Sequence, residues 1–284
     1  MMNKLSMARW RNVLAFVLLA YLTSWLWWGW FLLAGGQPSG NLSQRSDDEA
    51  QMAQLLLAIG DFGPLLAALV MRLFISREGL SGSLGWRRSW RFYLTAIIAP
   101  VLFYATVAAI NHLLGIGRFS WSRNDMPLWS CLGIELLIGG LIISCFIFGE
   151  EYGWRGYLLP ALLPLGEGAA TVIVGLIWAG WHLPLLLAGL NYPGQSVWLA
   201  IPLFTLVVVS LSFPLTWFYR ATAGSVVLVS LMHGFINSYG DGLTATALVA
   251  EGNPLLTGSA GLVTLFLLLA MIGVVYGVMR RSWR

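Results

Sequence analysis

The chain has 284 residues, of which 58% are hydrophobic and only 10% charged, with a net charge of +4. Soluble domains carry about 25% charged residues, so the composition excludes a soluble globule and points to a polytopic integral membrane protein. The basic excess is not a nucleic-acid footprint, because the Arg residues flank apolar runs instead of clustering on one folded face.

Lys4, Arg9 and Arg11 precede an apolar, Trp-rich run over about 13–34. It is longer than the apolar core of a signal peptide, and it reads as a retained transmembrane helix. The polar stretch 35–51, with Asp47, Asp48 and Glu49, reads as a loop. Seven further crossings are expected at about 52–75, 92–115, 128–148, 169–190, 197–219, 225–243 and 259–279, each near the ~20 residues that span a hydrocarbon core. The expected fold class is all-α, a polytopic transmembrane helical bundle of about eight helices. Residues 1–284 form a single integral membrane domain, since no linker or low-complexity tract divides the chain.

Basic residues collect at the N-terminus, over 72–91, at Arg155, at Arg220 and over 280–284, with Arg45, Arg118 and Arg123 as exceptions. An eight-crossing topology puts those segments and both termini in the cytoplasm, and short loops with few Lys suggest a bacterial inner membrane. Pro64, Pro100, Pro184, Pro202 and Pro214 fall inside the runs, where each removes a backbone hydrogen bond and kinks its helix. Cys131 and Cys145 would stand about 21 Å apart on one helix, too far for a disulfide. They are expected as buried structural thiols.

The informative residues are the ionisable ones among the apolar runs: Asp61, Glu135, Glu150, Glu151, Arg155, His182 and His233. Each costs about 2.5 kcal/mol or more at membrane depth, so such groups face a cavity or a partner. Glu150, Glu151 and Arg155 stand directly after the 128–148 run. Glu151 and Arg155 are four apart with the acid first, the favourable ion-pair order on a helix. Glu150 is rotated by about 100° and is left free of that partner. The plainer alternative is a juxtamembrane turn with a surface salt bridge. Gly153 and Gly156 leave room for a neighbouring helix or a substrate backbone.

His182 follows Trp178 by one turn on the same face, where the indole is placed to fix the imidazole. Pro184 clashes with the carbonyl of Gly180 and opens the helix beside the histidine. A packing histidine that bonds the freed carbonyl is the alternative. His233 and Asn237 share one face of their helix, alternatively as an interhelical hydrogen-bond pair. His112 is expected at the interface. Asp61 either caps a helix break near Gly60 and Gly63 or lines a cavity.

Together these segments bring a free acid, a histidine and a histidine–amide pair from three helices. A Glu beside a His activates water as a general base, and a second His with an Asn supplies donors for an oxyanion. No Gly-x-Ser-x-Gly is present, which favours direct attack by water on an acyl bond. Glu150, His182 and His233 also make a two-His, one-carboxylate set for a hydrolytic zinc site, although no His-Glu-x-x-His occurs. The residue types leave both chemistries open. A non-enzymatic membrane scaffold, immunity protein or small transporter, in which these residues only join helices, is the remaining alternative.

The ordered set Glu150-Glu151-Tyr-Gly-Trp-Arg155, Trp178-Ala-Gly-Trp-His182 and His233-Gly-Phe-Ile-Asn237 resembles the CPBP family of intramembrane proteases, also called the Abi or type II CAAX endopeptidase family. The resemblance covers a motif-bearing core of about 128–243. It implies an eight-helix bundle around a conical, membrane-embedded polar cavity open to the cytoplasm. It further implies an endopeptidase acting on membrane-associated protein or peptide substrates within the lipid bilayer. Glu150 is then the general base helped by His182, and His233 and Asn237 hold the oxyanion. Glu151 and Arg155 support the site structurally, and the family's glutamate mechanism expects no cofactor. Trp178 stands where Phe is common, a mild departure. Neither prenylation of the substrate nor its identity is implied.

Overall fold

The computed structural model describes residues 7–38, 47–77, 79, 84–86, 88–119, 122–123, 126–127, 130, 133, 136–245, 249–250 and 252–282. Glu135, Cys131, Lys4 and Arg45 lie outside the described residues. The architecture is an all-α polytopic bundle.

α1 (Met7–Leu33) is one unbroken helix. α2 (Asp47–Ile59), a 3-10 turn (Gly60–Phe62), α3 (Gly63–Val70) and a π turn (Met71–Ile75) run on from one another. Asp47, Asp48 and Glu49 begin α2 instead of lying in the expected loop, in keeping with the preference of acids for helix N-termini. α4 (Trp90–Leu113) follows. α5 (Leu136–Gly153) passes through a π turn (Trp154–Leu158) into α6 (Leu159–Leu162) and a 3-10 turn (Leu163–Leu165). The rest of the chain forms α7 (Glu167–Trp181), α8 (Leu183–Leu187), α9 (Val197–Ala221), α10 (Val226–Gly240), a π turn (Asp241–Ala245), α11 (Pro254–Thr257) and α12 (Leu262–Ser282). Two-residue extended pairs join Arg118–Phe119 to Val249–Ala250 and Ser122–Arg123 to Met126–Pro127.

Among the described residues, 6 helical stretches are long and apolar enough to cross a membrane. They correspond to six of the expected crossings. The other two expected crossings are α7 and α10, each only 15 residues. α7 stops at His182, where Pro184 cannot continue the ladder. α10 gives way to the π turn at Asp241. The stretch after Phe148 differs from expectation. Leu136–Leu165 is one 30-residue span, so Glu150, Glu151 and Arg155 sit near its middle and not in a turn after it. Arg155 is fully buried and therefore is no cytoplasmic-loop marker. Cys145 is exposed, not buried, on a face of α5 that carries Leu141 and Ile142.

Large apolar side chains Leu14, Leu18, Leu22, Leu26 and Trp30 recur every fourth residue along α1 and are exposed. Such a stripe is costly in water and is what a lipid-facing helix requires. The protein is an integral membrane protein.

The helices around the centre approach closely. α5 packs most extensively on α10, α9 packs on α7, and α3 packs on both α1 and α5. Small residues set these distances, since lipid gives helices no hydrophobic drive to associate and contact must come from close packing. A Cβ added at Gly234 on α10 would stand 2.7 Å from the Cα of Ser144 on α5. A Cβ at Gly153 would stand 2.8 Å from the backbone carbonyl carbon of Pro64 on α3. Gly29 on α1 has nothing within 4 Å of such an atom. Gly234→Ala is therefore expected to force α5 and α10 apart and to destabilise the protein by about 1–3 kcal/mol. Gly29→Ala is expected to be neutral or to stabilise by up to about 1 kcal/mol. Thermal unfolding of both variants in detergent measures the difference.

Candidate functional site

Glu151 is fully buried on α5. Its Oε1 accepts hydrogen bonds from Arg155 Nη1 at 2.7 Å and from His233 Nδ1 at 2.8 Å. The Glu151–Arg155 ion pair is the one the four-residue spacing predicts. The link from Glu151 to His233 joins α5 to α10 across 82 residues of sequence, which no periodicity could reveal.

Arg155 carries the arrangement onward. Nη2 donates to Ser212 Oγ on α9 at 3.3 Å, and the guanidinium carbon stands 4.6 Å from the centre of the Trp178 ring. A flat cation on an indole face is a favourable pairing that strengthens when desolvated. The same indole meets the His233 ring at 5.1 Å between ring centres, nearly perpendicular. Held on both sides, Trp178 donates its indole N–H to Glu150 Oε1. Glu150 is thus kept out of the ion pair, as expected, and it is fixed by an indole that the sequence suggested for the histidine instead.

His182 occupies the break between α7 and α8. Its Nδ1 lies 2.9 Å from the carbonyl oxygen of Trp178, and the Trp178 ring stands 6.0 Å away between centres, so the imidazole meets both the backbone and the ring of that residue. A carbonyl only accepts, so Nδ1 carries the proton, and in the neutral ring Nε2 is an acceptor. His233 has the matching constraint. Its Nδ1 donates to a carboxylate, and it offers a second N–H, at Nε2, only as the imidazolium. Neither Nε2 has a hydrogen-bond partner among the described residues, and both rings line one cavity.

That cavity holds about 250 Å³. Glu150, His182, His233 and Asn237 all line it, and so do two acids from elsewhere, Asp61 and Asp241. Glu151 and Arg155 lie behind its wall, while Trp178 faces it. Asn237 is half-buried, and its amide has no hydrogen-bond partner among the described residues. A second cavity of about 320 Å³, bounded by Pro100, Phe103, Trp217 and Met271, is almost wholly apolar. The two cavities share Tyr104, Leu211 and Ile236 as a common wall. His112 is exposed at the end of α4, away from both.

Among the described residues, no group of three or more His, Cys, Asp or Glu side chains is disposed to hold a metal ion. Glu150, His182 and His233 share the cavity, and Nδ1 of each histidine is bonded to an oxygen, which leaves Nε2 of both rings toward the cavity.

Comparison with known proteins gives two findings. Residues 132–239 match the family described as type II CAAX prenyl endopeptidase, Rce1-like. Over 126 residues the chain is 29% identical to CAAX prenyl protease 2 of Methanococcus maripaludis. That alignment takes in 43% of this chain and 42% of the relative, so the chain matches less than half of the relative's length. The family match falls inside the 128–243 stretch that bears the three motifs. Both findings support the assignment to the CAAX protease family that those motifs carry.

Removing one member of a buried charge pair leaves the other uncompensated, which costs about 3–5 kcal/mol. Glu151→Gln and Arg155→Ala are accordingly expected to lower the unfolding temperature sharply. Glu150→Gln is expected to leave it nearly unchanged, because an amide oxygen still accepts the Trp178 indole. Thermal unfolding of the three purified variants checks this contrast.

Proposed function

We propose that the chain is an intramembrane endopeptidase hydrolysing peptide bonds of membrane-associated protein or peptide substrates. One observation carries the reading. Glu150, His182, His233 and Asn237 arrive from three separate segments and line a single cavity inside the bundle. The family matched over residues 132–239, which carry these four residues, and the similarity to CAAX prenyl protease 2 support it.

In this mechanism Glu150 takes a proton from a water molecule held in the cavity. The Nε2 lone pair of His182 accepts the water's other hydrogen and fixes its orientation, since Nδ1 is occupied by the Trp178 carbonyl. The water oxygen attacks the scissile carbonyl. Nε2–H of a protonated His233 and the amide of Asn237 then donate to the oxyanion, with Glu151 as the counter-charge on the same imidazole. Trp178 holds Glu150 Oε1, leaving the rest of the carboxylate for the water. The apolar cavity behind Tyr104, Leu211 and Ile236 gives the lipid-soluble part of a substrate a place beside the polar chemistry. No metal takes part in any step. We further propose, on the distribution of Arg, that both termini are cytoplasmic in a bacterial inner membrane.

The test is cleavage of a diverse quenched-peptide panel by the purified protein in lipid, with and without a strong chelator. Wild type is expected to cleave equally under both conditions, and Glu150→Gln to be slower by at least about 100-fold. Loss of wild-type cleavage under chelation, restored by zinc, would overturn the metal-free mechanism. Full activity in Glu150→Gln would overturn the role given to Glu150. No cleavage of any peptide by a folded wild type would favour the scaffold alternative.

A further inference from the structure

The second membrane span is interrupted at one place, and the interruption delivers a carboxyl group into the cavity. The 3-10 turn Gly60–Phe62 separates α2 from α3, and Asp61 is its central residue. Pro64 has no N–H to offer the carbonyl of Gly60, and Ser24 Oγ of α1 donates to that carbonyl at 2.8 Å. Two further donors from α1 reach the preceding turn, Trp27 Nε1 to the Leu56 carbonyl at 2.6 Å and Trp28 Nε1 to the Leu57 carbonyl at 3.0 Å. The turn is therefore a fixed feature of the fold.

It is also seated directly against the catalytic helix. A Cβ added at Gly149, the residue before Glu150, would lie 3.1 Å from the carbonyl oxygen of Asp61 and 3.1 Å from the Cα of Phe62. Asp61 and Glu150 line the same cavity. Asp241, the other acid there, is held by Ser259 Oγ at 2.8 Å. Asp61 has no hydrogen bond or ion pair among the described residues. A carboxyl that is placed rigidly at membrane depth and left without a structural partner is a group kept for chemistry.

The proposed hydrolysis has a vacancy for such a group. Expelling an amine requires a proton on the leaving nitrogen. The Nδ1 proton of His182 is held by a carbonyl and that of His233 by Glu151, and the Nε2 proton of His233 is assigned to the oxyanion, which leaves the cavity carboxyl groups, Glu150 after it has taken the water's proton and Asp61 from the start, as the donors. We propose that Asp61 is the general acid of the reaction, protonating the leaving amine while Glu150 deprotonates the water. This rests on the endopeptidase reading above. The pair starts with one proton, carried by Asp61, because two neighbouring carboxyl groups in a poorly solvated site do not both ionise. Glu150 takes a proton from water as the C–O bond forms. Asp61 gives its proton to the nitrogen as the C–N bond breaks, releasing a neutral amine and a carboxylic acid. The proton gained by Glu150 passes to Asp61, and the pair returns to its starting state.

The test compares two substrates of identical sequence, one with the scissile amide and one with an ester at that bond, whose alkoxide leaves with far less need of a proton. Asp61→Asn is expected to lower kcat on the peptide by at least about 100-fold, with KM unchanged, while ester turnover stays within a few-fold of wild type. Retained ester turnover shows that the variant is folded. Equal losses on both substrates, or none on the peptide, would overturn the inference. Should Asp61→Asn fail to fold, Asp61→Ser carries the same comparison, with the same result expected and the same result overturning it. Glu150→Gln is expected to lose both substrates. Wild type active on both, with Asp61→Asn also active on both, sinks only the role of Asp61. Wild type inactive on both sinks the endopeptidase reading and this inference with it.

Discussion

One carboxylate oxygen, Oε1 of Glu151, accepts from both Arg155 and His233 in the dry centre of the bundle, and the geometry of the cavity follows from that sharing. Arg155 is turned so that its guanidinium lies on Trp178. Trp178 in turn presents its N–H to Glu150, and His233 is turned so that Nε2 alone is left for the cavity. Buried ion pairs gain little net stability once desolvation is subtracted. Their value here is positional: a fully buried ion pair that shares an oxygen with a histidine tolerates few arrangements, and each arrangement fixes a reactive group. The cluster is not saturated, since Glu151 Oε2 and Arg155 Nε have no hydrogen-bond partner among the described residues. The two residues thus do different work despite being adjacent. Glu151 is spent on architecture, and Glu150, about 100° around the helix, is spared for the cavity.

Much of this is legible in the sequence, for identifiable reasons. Apolar runs of membrane length are a strong signal, and the expected crossings coincide with helices. The Glu151–Arg155 pair follows from spacing within one helix. What escapes the sequence depends on contacts between helices. Nothing in the order of residues shows that Glu151 also holds His233, or that Trp178 serves Glu150 through its ring and His182 through its backbone. The extent of the fourth crossing is hidden because charged residues read as the end of a span. The internal neutralisation of Arg155 by Glu151 lets the helix continue to Leu165. Cys145 departs from expectation because thiols are usually buried, whereas in lipid an apolar sulfur loses little by facing outward.

Two of the segments that reach the cavity without regular helix, at Asp61 and at His182, have a common solution. A helix broken at membrane depth exposes carbonyls that lipid cannot satisfy, so other donors must be brought in. Both breaks are served by α1, which carries no family motif. Ser24, Trp27 and Trp28 answer the break at Asp61. Tyr21 donates to the Ile177 carbonyl at 2.5 Å and Trp25 to the Trp181 carbonyl at 2.8 Å, answering the break at His182. The Trp-rich composition of α1 is thereby explained. Indole and phenol groups supply a donor at the tip of an otherwise apolar body, which suits a helix that must meet lipid on one side and stray carbonyls on the other.

The order of these elements along the chain matters for how the protein is made. Synthesis runs from α1 onward, so the hydroxyl and indole donors enter the membrane before the interrupted segments that need them. Each later segment arrives beside a surface already equipped to quench its open backbone, and it need not wait, half unravelled in lipid, for a helper still on the ribosome. A rearranged chain with α1 moved to the far end would reach the same set of contacts on paper, but its irregular segments would cross the bilayer unattended.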